Sequence, residues 1–171
     1  MNAGSDGKPG PVKNRTTVKR ESDREVVVTR TINGPARIVF EAFTRAELFK
    51  RWWVPKSMGM TLLSCELDAR VGGKYRLVFD HDPEPVAFFG SYVEVQPHSR
   101  LAWTNEEGGD GGSVTTVTFE EEGGRTLVVL REKYPSKEAL DAAGTGAADA
   151  MVETFDQLDE LLVALGESSG Q

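Results

Sequence analysis

Two histidines, one cysteine and 27 carboxylates are the side chains from which this 171-residue chain would have to assemble catalysis or a metal site. His81 and His98 fall in separate turns, without the i, i+4 spacing of a helical zinc site. Asp80-His81-Asp82 with Glu84 offers oxygen and nitrogen ligands, but the stretch lacks the calcium-loop pattern, and Pro83 and Pro85 already explain a turn. Glu120-Glu121-Glu122-Gly123-Gly124 reads as a solvated hairpin tip rather than a cation cage. No G-x-S-x-G elbow occurs, and neither histidine has a sequence-marked serine or cysteine partner. Gly144-Thr-Gly-Ala-Ala-Asp149 begins like a dinucleotide fingerprint. It follows a helical segment instead of a strand, however, and puts Asp149 where a third glycine belongs. Cys65 alternates with Leu63 and Leu67, as a small core residue would, whereas a reactive thiol needs an accessible electropositive site. The sequence thus marks no catalytic residue, metal ligand or cofactor, and leans toward a protein that is not an enzyme.

The large apolar side chains are the better lead. Phe40, Trp53, Tyr75, Phe79, Phe89, Trp103, Met151 and Phe155 lie on faces expected to point inward. Singly, each is explained as core; together they are candidate walls of a ligand cavity. Trp52 and Trp53 are neighbours on an expected helix, about 100° apart, so one should face the interior and the other an entrance. Arg76 is expected on an outer face with Lys74. Arg131, in register with Leu127 and Val129, is the inward candidate for a bidentate contact to a ligand carboxylate. The plainer reading of Arg131 is a strand end that reaches water.

These residues need elements to hold them. Glu25-Val-Val-Val-Thr-Arg-Thr-Ile32 is β-branched and stops at Asn33-Gly34-Pro35, a strand and its terminator. Ala36, Val39, Phe40 and Phe43 then repeat with helical spacing, and Leu48, Phe49, Trp52 and Trp53 continue an apolar face after a break near Thr44. Two short helices are expected, ended by Pro55 and followed by a loop with Met58 and Met60. Period-two patterning follows: Leu63/Cys65/Leu67, Tyr75/Leu77/Phe79, Ala87/Phe89/Ser91/Val93/Val95, Leu101/Trp103, Thr115/Val117/Phe119 and Leu127/Val129. Gly72-Gly73, Asp82-Pro83, Pro97-His98, the glycine run 108–112 and Gly123-Gly124 supply the turns of an antiparallel meander. Ser136 caps a short helix, residues 144–146 break it, and Met151, Phe155, Leu158, Leu162 and Leu165 mark a long amphipathic helix. Glu153, Asp156, Asp159 and Glu160 are expected largely on its solvent side. The order gives an α+β protein: an antiparallel sheet of about seven strands with one long helix to cover it, and a cavity between them if the sheet is strongly curved.

Composition bounds the partners. Against 20 Lys+Arg the carboxylates leave a net charge of −7, with +4 on residues 1–20 and −11 on the remainder. An acidic body is repelled by phosphate backbones, so nucleic acid is not an expected partner. The glycine- and proline-containing basic stretch 1–22 is expected to be a disordered leader, 23–166 the folded domain and 167–171 a disordered tail. One cysteine permits no intrachain disulfide and suits a reducing cytoplasm. The longest apolar run is five residues, against roughly 20 for a membrane span, so no membrane insertion is expected.

Four passages carry a resemblance: Pro35-Ala-Arg-Ile-Val-Phe-Glu-Ala-Phe-Thr44, Leu48 to Trp53, Val71-Gly-Gly-Lys-Tyr-Arg76, and Gly90-Ser-Tyr-Val-Glu-Val-Gln-Pro97 leading to Arg100-Leu101. Over residues 24–165 the chain resembles the START-like superfamily, also called SRPBCC or pollen-allergen-like. Within it, the chain is similar to the branch of homologues of the activator of heat-shock-protein-90 ATPase. The resemblance implies a helix-grip fold around a hydrophobic pocket of the kind used for lipids, hormones, polyketides and ring-hydroxylase substrates. Its chaperone activators pair such a domain with a separate amino-terminal one, which is not expected from this sequence, and that expectation tells against the chaperone reading. Polyketide cyclases share the fold without one transferable catalytic motif. The expected function is therefore a module holding an apolar or aromatic small molecule. A chaperone-regulating interaction domain and a cyclase- or hydrolase-type enzyme are the alternatives, and a homodimer through edge strands is an open expectation.

Overall fold

β-branched and alternating segments pair into one open antiparallel sheet. The computed structural model describes residues 15–106, 112–144 and 146–169. In chain order the elements are β1 (Thr17–Arg20), β2 (Glu25–Ile32), α1 (Ala36–Thr44), α2 (Ala46–Phe49), a 3-10 turn (Lys56–Met58), β3 (Leu62–Leu67) and β4 (Lys74–Phe79). They continue as β5 (Val86–Gln96), β6 (Arg100–Thr104), β7 (Val114–Glu122), β8 (Arg125–Lys133), α3 (Lys137–Ala143) and α4 (Gly146–Ser169). The sheet runs β1-β2-β8-β7-β6-β5-β4-β3, so consecutive strands form a meander and the first two add to its far end beside the last. This is the α+β helix-grip arrangement, with the long helix on the sheet.

Eight strands stand where about seven were expected. The addition is β1, whose residues fall in the stretch assigned to a disordered leader. It pairs residue by residue with β2, from Thr17 opposite Thr29 to Arg20 opposite Val26. An edge strand needs a backbone ladder more than a buried face, and Lys19 and Arg20 suit that position, so its composition does not betray it. At the other end α4 runs to Ser169 rather than stopping at residue 166, because Gly166 does not adopt the left-handed backbone that ends helices. Residues 1–14 and 170–171 of the expected leader and tail, and 107–111 of the expected glycine turn, lie outside the described residues.

The buried side chains gather between α1, α4 and one face of the sheet. Ala36, Val39, Phe40 and Phe43 bury the predicted stripe of α1. α2 is a single turn, so Trp52 and Trp53 sit in the turns beyond it rather than on a helix. Trp52 is fully buried, and its indole Nε1 donates to the Ala42 carbonyl at 2.8 Å. Ser136 accepts a hydrogen bond from the Ala139 amide at 3.0 Å, the expected cap of α3.

α4 packs over β1, β2 and α1. Its acidic residues are not all solvated. Asp159, expected outward, is 7% exposed and receives Arg30 Nη2 at 2.9 Å, the Asn33 amide at 2.9 Å and Asn33 Nδ2 at 3.1 Å. Arg30, 4% exposed on the inner face of β2, also pairs with Asp156 and donates to Thr16 Oγ1. Gly34 admits the helix beside this pair: a Cβ there would lie 2.5 Å from Leu162 Cδ1. Removing one member of such a buried pair leaves the other uncompensated. Arg30→Ala is expected to lower unfolding stability by about 3–5 kcal/mol in urea titration. Arg30→Met together with Asp159→Leu should recover part of that loss. A loss from Arg30→Ala under about 1 kcal/mol, the level of a surface pair, would contradict this assignment.

Candidate functional site

Between the sheet, the amino-terminal half of α4 and the segment after α2 lies a cavity of about 320 Å³. Tyr75, Leu77 and Phe79 of β4 form its floor, since the β4 alternation buries these three and leaves Lys74 and Arg76 outside. Phe88 and Tyr92 of β5, Trp103 of β6 and Leu130 of β8 extend the floor, and Met151 and Thr154 of α4 form the opposite wall. Trp53, Val54 and Pro55 close one side, and the exposed Met58 and Met60 belong to the rim. A chain of rings runs around it. Phe49 stacks on Trp53 at 4.7 Å, Trp53 meets Trp103 at 6.2 Å, Trp103 meets Tyr75 at 6.4 Å and Tyr75 meets Tyr92 at 6.0 Å.

One sector of the wall is polar. The Tyr75 hydroxyl lies 2.8 Å from the Thr104 carbonyl and 3.1 Å from Asn105 Oδ1. Asn105 Nδ2 donates to Thr115 Oγ1 at 3.0 Å, and Thr115 Oγ1 in turn reaches Glu132 Oε2 at 3.5 Å. Burial pushes the Tyr92 phenol far above its ordinary range, so it stays neutral. Among the described residues, no three His, Cys, Asp or Glu side chains gather as a metal-holding set.

Five of the nine residues picked from sequence line the cavity: Trp53, Tyr75, Phe79, Trp103 and Met151. Four do not. Phe40 packs edge-on against Phe119 at 5.5 Å and His98 at 5.8 Å in the core under α1. Phe155 is fully buried against Trp52 at 6.0 Å. Phe89 points to the outer face opposite Arg76, in a separate hollow with Lys74 and Glu106. Arg131 also faces out and is exposed, while Thr126, Val128 and Leu130 are buried and half-buried Glu132 faces the cavity.

Both parity errors have a local cause. β8 reads Thr126-Leu-Val-Val-Leu130, an unbroken run in which alternation does not identify the inner face. In β5, Phe88 and Phe89 are adjacent, and a register shift between Tyr92 and Glu94 returns Val95 to the inner side. Gly90 carried the missed signal. A Cβ on it would lie 1.8 Å from the Thr104 carbonyl oxygen and 2.8 Å from Tyr75 Cε2, so only glycine fits that inner position. Its parity selects Phe88 and Tyr92 as the inward neighbours.

α4 fixes the rim through two side chains. Gln157 Nε2 donates to the Trp52 and Val54 carbonyls at 3.0 and 2.9 Å, and its Oε1 accepts from the Lys56 amide at 2.9 Å. Glu153 accepts from the Ser57 hydroxyl and from the Ser57 amide at 2.9 Å, and these bonds hold its carboxyl below the usual carboxylate range.

A helix-grip domain with a ring-lined cavity open at a methionine rim defines the class of protein. The chain belongs to the family described as Activator of Hsp90 ATPase homolog 1-like protein, whose model matches residues 33–163. It is thereby in the corresponding branch of the START-like superfamily. Among solved structures, a Rhodobacter sphaeroides protein is similar at 22% identity and a TM-score of 0.77, over 88% of this chain and 99% of that one. Protein Ms6760 from Mycobacterium smegmatis is similar at 23% identity and a TM-score of 0.73, over 88% and 99%. The AHSA1-like protein from Aeromonas hydrophila gives 20% identity and a TM-score of 0.61, over 82% and 94%. At these identities the likeness concerns the fold. No curated protein matches the chain by sequence. Among the described residues no helix is long and apolar enough to cross a membrane.

Two predictions follow from this geometry. A carboxyl whose pKa is lowered by folding stabilises above its unfolded value and loses that contribution as pH falls through the folded one. Amide exchange over residues 55–59, corrected for intrinsic rates, should therefore quicken on acidification. Glu153→Ala should produce the same change at neutral pH, and equal exchange in variant and parent would refute the anchor. Burial pushes the Cys65 thiol up to about 11. Alkylation by iodoacetamide at pH 8 should thus be about a hundredfold slower than for an unperturbed thiol, and normal in urea. A folded-state rate near that of glutathione would contradict this.

Proposed function

We propose that this domain is a binding module holding an apolar or aromatic small molecule between the sheet and α4. The observation that carries the reading is the cavity of about 320 Å³ bounded by Trp53, Trp103, Tyr75, Phe79 and Met151. That volume lies at the small end of the roughly 300–1,000 Å³ of ligand sites, which fits a compact ligand of one or two rings. The polar sector of Tyr75, Asn105, Thr115 and Glu132 supplies the few directional contacts that orient a mostly apolar ligand.

Family membership supports a second reading, an activator-like domain acting on a chaperone ATPase through its outer surface. Its distinguishing test is chaperone ATP turnover with purified protein, where cavity substitutions should leave any stimulation intact. An enzymatic role in the cavity would have to run through Glu132, the carboxylate among the lining residues.

The binding reading is tested by native mass spectrometry of protein purified gently from its own source, then denaturing extraction. A stoichiometric small molecule released on denaturation is the expected result. Met151→Trp, which fills the cavity, should abolish its retention while thermal unfolding remains cooperative. Retention unchanged in that folded variant would place the ligand elsewhere and overturn the proposal.

A further inference from the structure

Polar side chains along the cavity wall bond to one another or to the backbone: Asn105 to Tyr75, Ser113 and Thr115, and Thr154 to the Met151 carbonyl at 3.3 Å. Two donors in the same wall do not. Tyr92 and Trp103 stand opposite each other in the β5–β6 ladder, line the cavity, and are 4% and 7% exposed. Among the described residues, neither the Tyr92 hydroxyl nor the Trp103 indole N–H meets a hydrogen-bonding partner in the protein. Trp52, by contrast, gives its indole N–H to the Ala42 carbonyl at 2.8 Å. Among the described residues that are at least partly buried, Arg30 Nε is the one side-chain polar atom both sealed off and unpartnered. Tyr92 and Trp103 therefore keep a little open surface at their donors, and the space both residues line is the cavity. A phenol or indole taken out of water without a partner forfeits a hydrogen bond, which is why buried ones ordinarily find an acceptor.

We infer that the Tyr92 hydroxyl orients the ligand by donating a hydrogen bond to a carbonyl oxygen on its ring system, with the Trp103 N–H as a second donor from the neighbouring strand. The inference rests on the binding reading above and narrows its ligand class to ring compounds that carry a neutral acceptor oxygen. An indole can only donate, and a neutral phenol has a proton to give, so the pair suits an acceptor. Burial keeps Tyr92 in that neutral form. No Lys, Arg or His among the described residues lines the cavity, so an anionic oxygen would enter an apolar space without a counter-charge. Leu77, Phe79 and Met151 supply the apolar surface against which the ring itself packs.

Indanone and indane are matched probes that share a fused ring body and differ in one carbonyl. Isothermal calorimetry with the full chain compares both compounds on the parent and on Tyr92→Phe, which removes the hydroxyl and keeps the ring. The substitution should weaken indanone about tenfold, as loss of one buried hydrogen bond does, and leave indane unchanged. The infrared carbonyl stretch of bound indanone should lie lower in the parent than in the variant. Because the hydroxyl of the ligand-free protein has no partner to lose, Tyr92→Phe should melt no lower than the parent. Indanone affinity unaffected by Tyr92→Phe, equal weakening of both compounds, binding of indane alone, or a ligand-free variant that melts clearly below the parent would each overturn the inference while leaving the cavity as a binding site. Binding of neither compound would remove the cavity reading as well.

Discussion

Everything on the inner face depends on where one helix is pinned. Arg30 projects from β2 into the protein and is met by Asp159 and Asp156, one turn apart on α4. Two charges taken out of water must be paired, so the helix is held where the pair forms, over the β1–β2 end. An eight-stranded sheet is far wider than one helix. Its other half, β3 to β6, is therefore covered partly by side chains reaching from the segment after α2, and the space left between these, the amino-terminal half of α4 and the sheet is the cavity. The glycine at 34 serves the same end, since a Cβ there would force the Leu162 side chain to shift.

The segment after α2 is attached to the helix instead of the sheet. Trp52 is locked into the core by its bond to Ala42, and Gln157 ties the carbonyls of Trp52 and Val54. Trp53, next in sequence, is left to stack on Phe49 and face the open space. Adjacent tryptophans thus divide between anchor and wall. The polar sector arises at the other side, where β6, β7 and β8 supply Asn105, Thr115 and Glu132 from neighbouring strands. A mostly apolar container with one directional edge is a form suited to recognition of a small, asymmetric molecule.

Most of the fold was legible because its elements alternate or repeat cleanly. Tyr75/Leu77/Phe79 and Thr115/Val117/Phe119 bury the predicted faces, and α1 buries its predicted stripe. What failed did so where periodicity carries no phase. Val128 and Val129 are chemically equal, and only the fold decides that the first is core, which turned Arg131 inward on paper and hid Glu132. Asp159 looked like a solvated helix residue because its partner lies 129 positions away in sequence. β1 was invisible for a different reason: an edge strand is stabilised by backbone pairing, which leaves little mark on side-chain pattern. The candidate site was therefore half readable: Trp53, Tyr75, Phe79 and Trp103 could be picked from sequence, while Phe88, Tyr92 and the polar residues needed the strand register.

The ladder between β2 and β8 sets Val28 opposite Leu130, joining the first and last parts of the domain. During synthesis β2 emerges early and waits for its neighbour while most of the domain is still being made. Until β8 arrives, Val26, Val28 and Ile32 lack the sheet that buries them, and Arg30 lacks α4. Long-range strand pairing of this kind closes late and slowly. The domain consequently becomes a native container only after α4 has left the ribosome, and a nascent chain cut short of that point exposes an apolar strand edge to any chaperone or neighbour within reach.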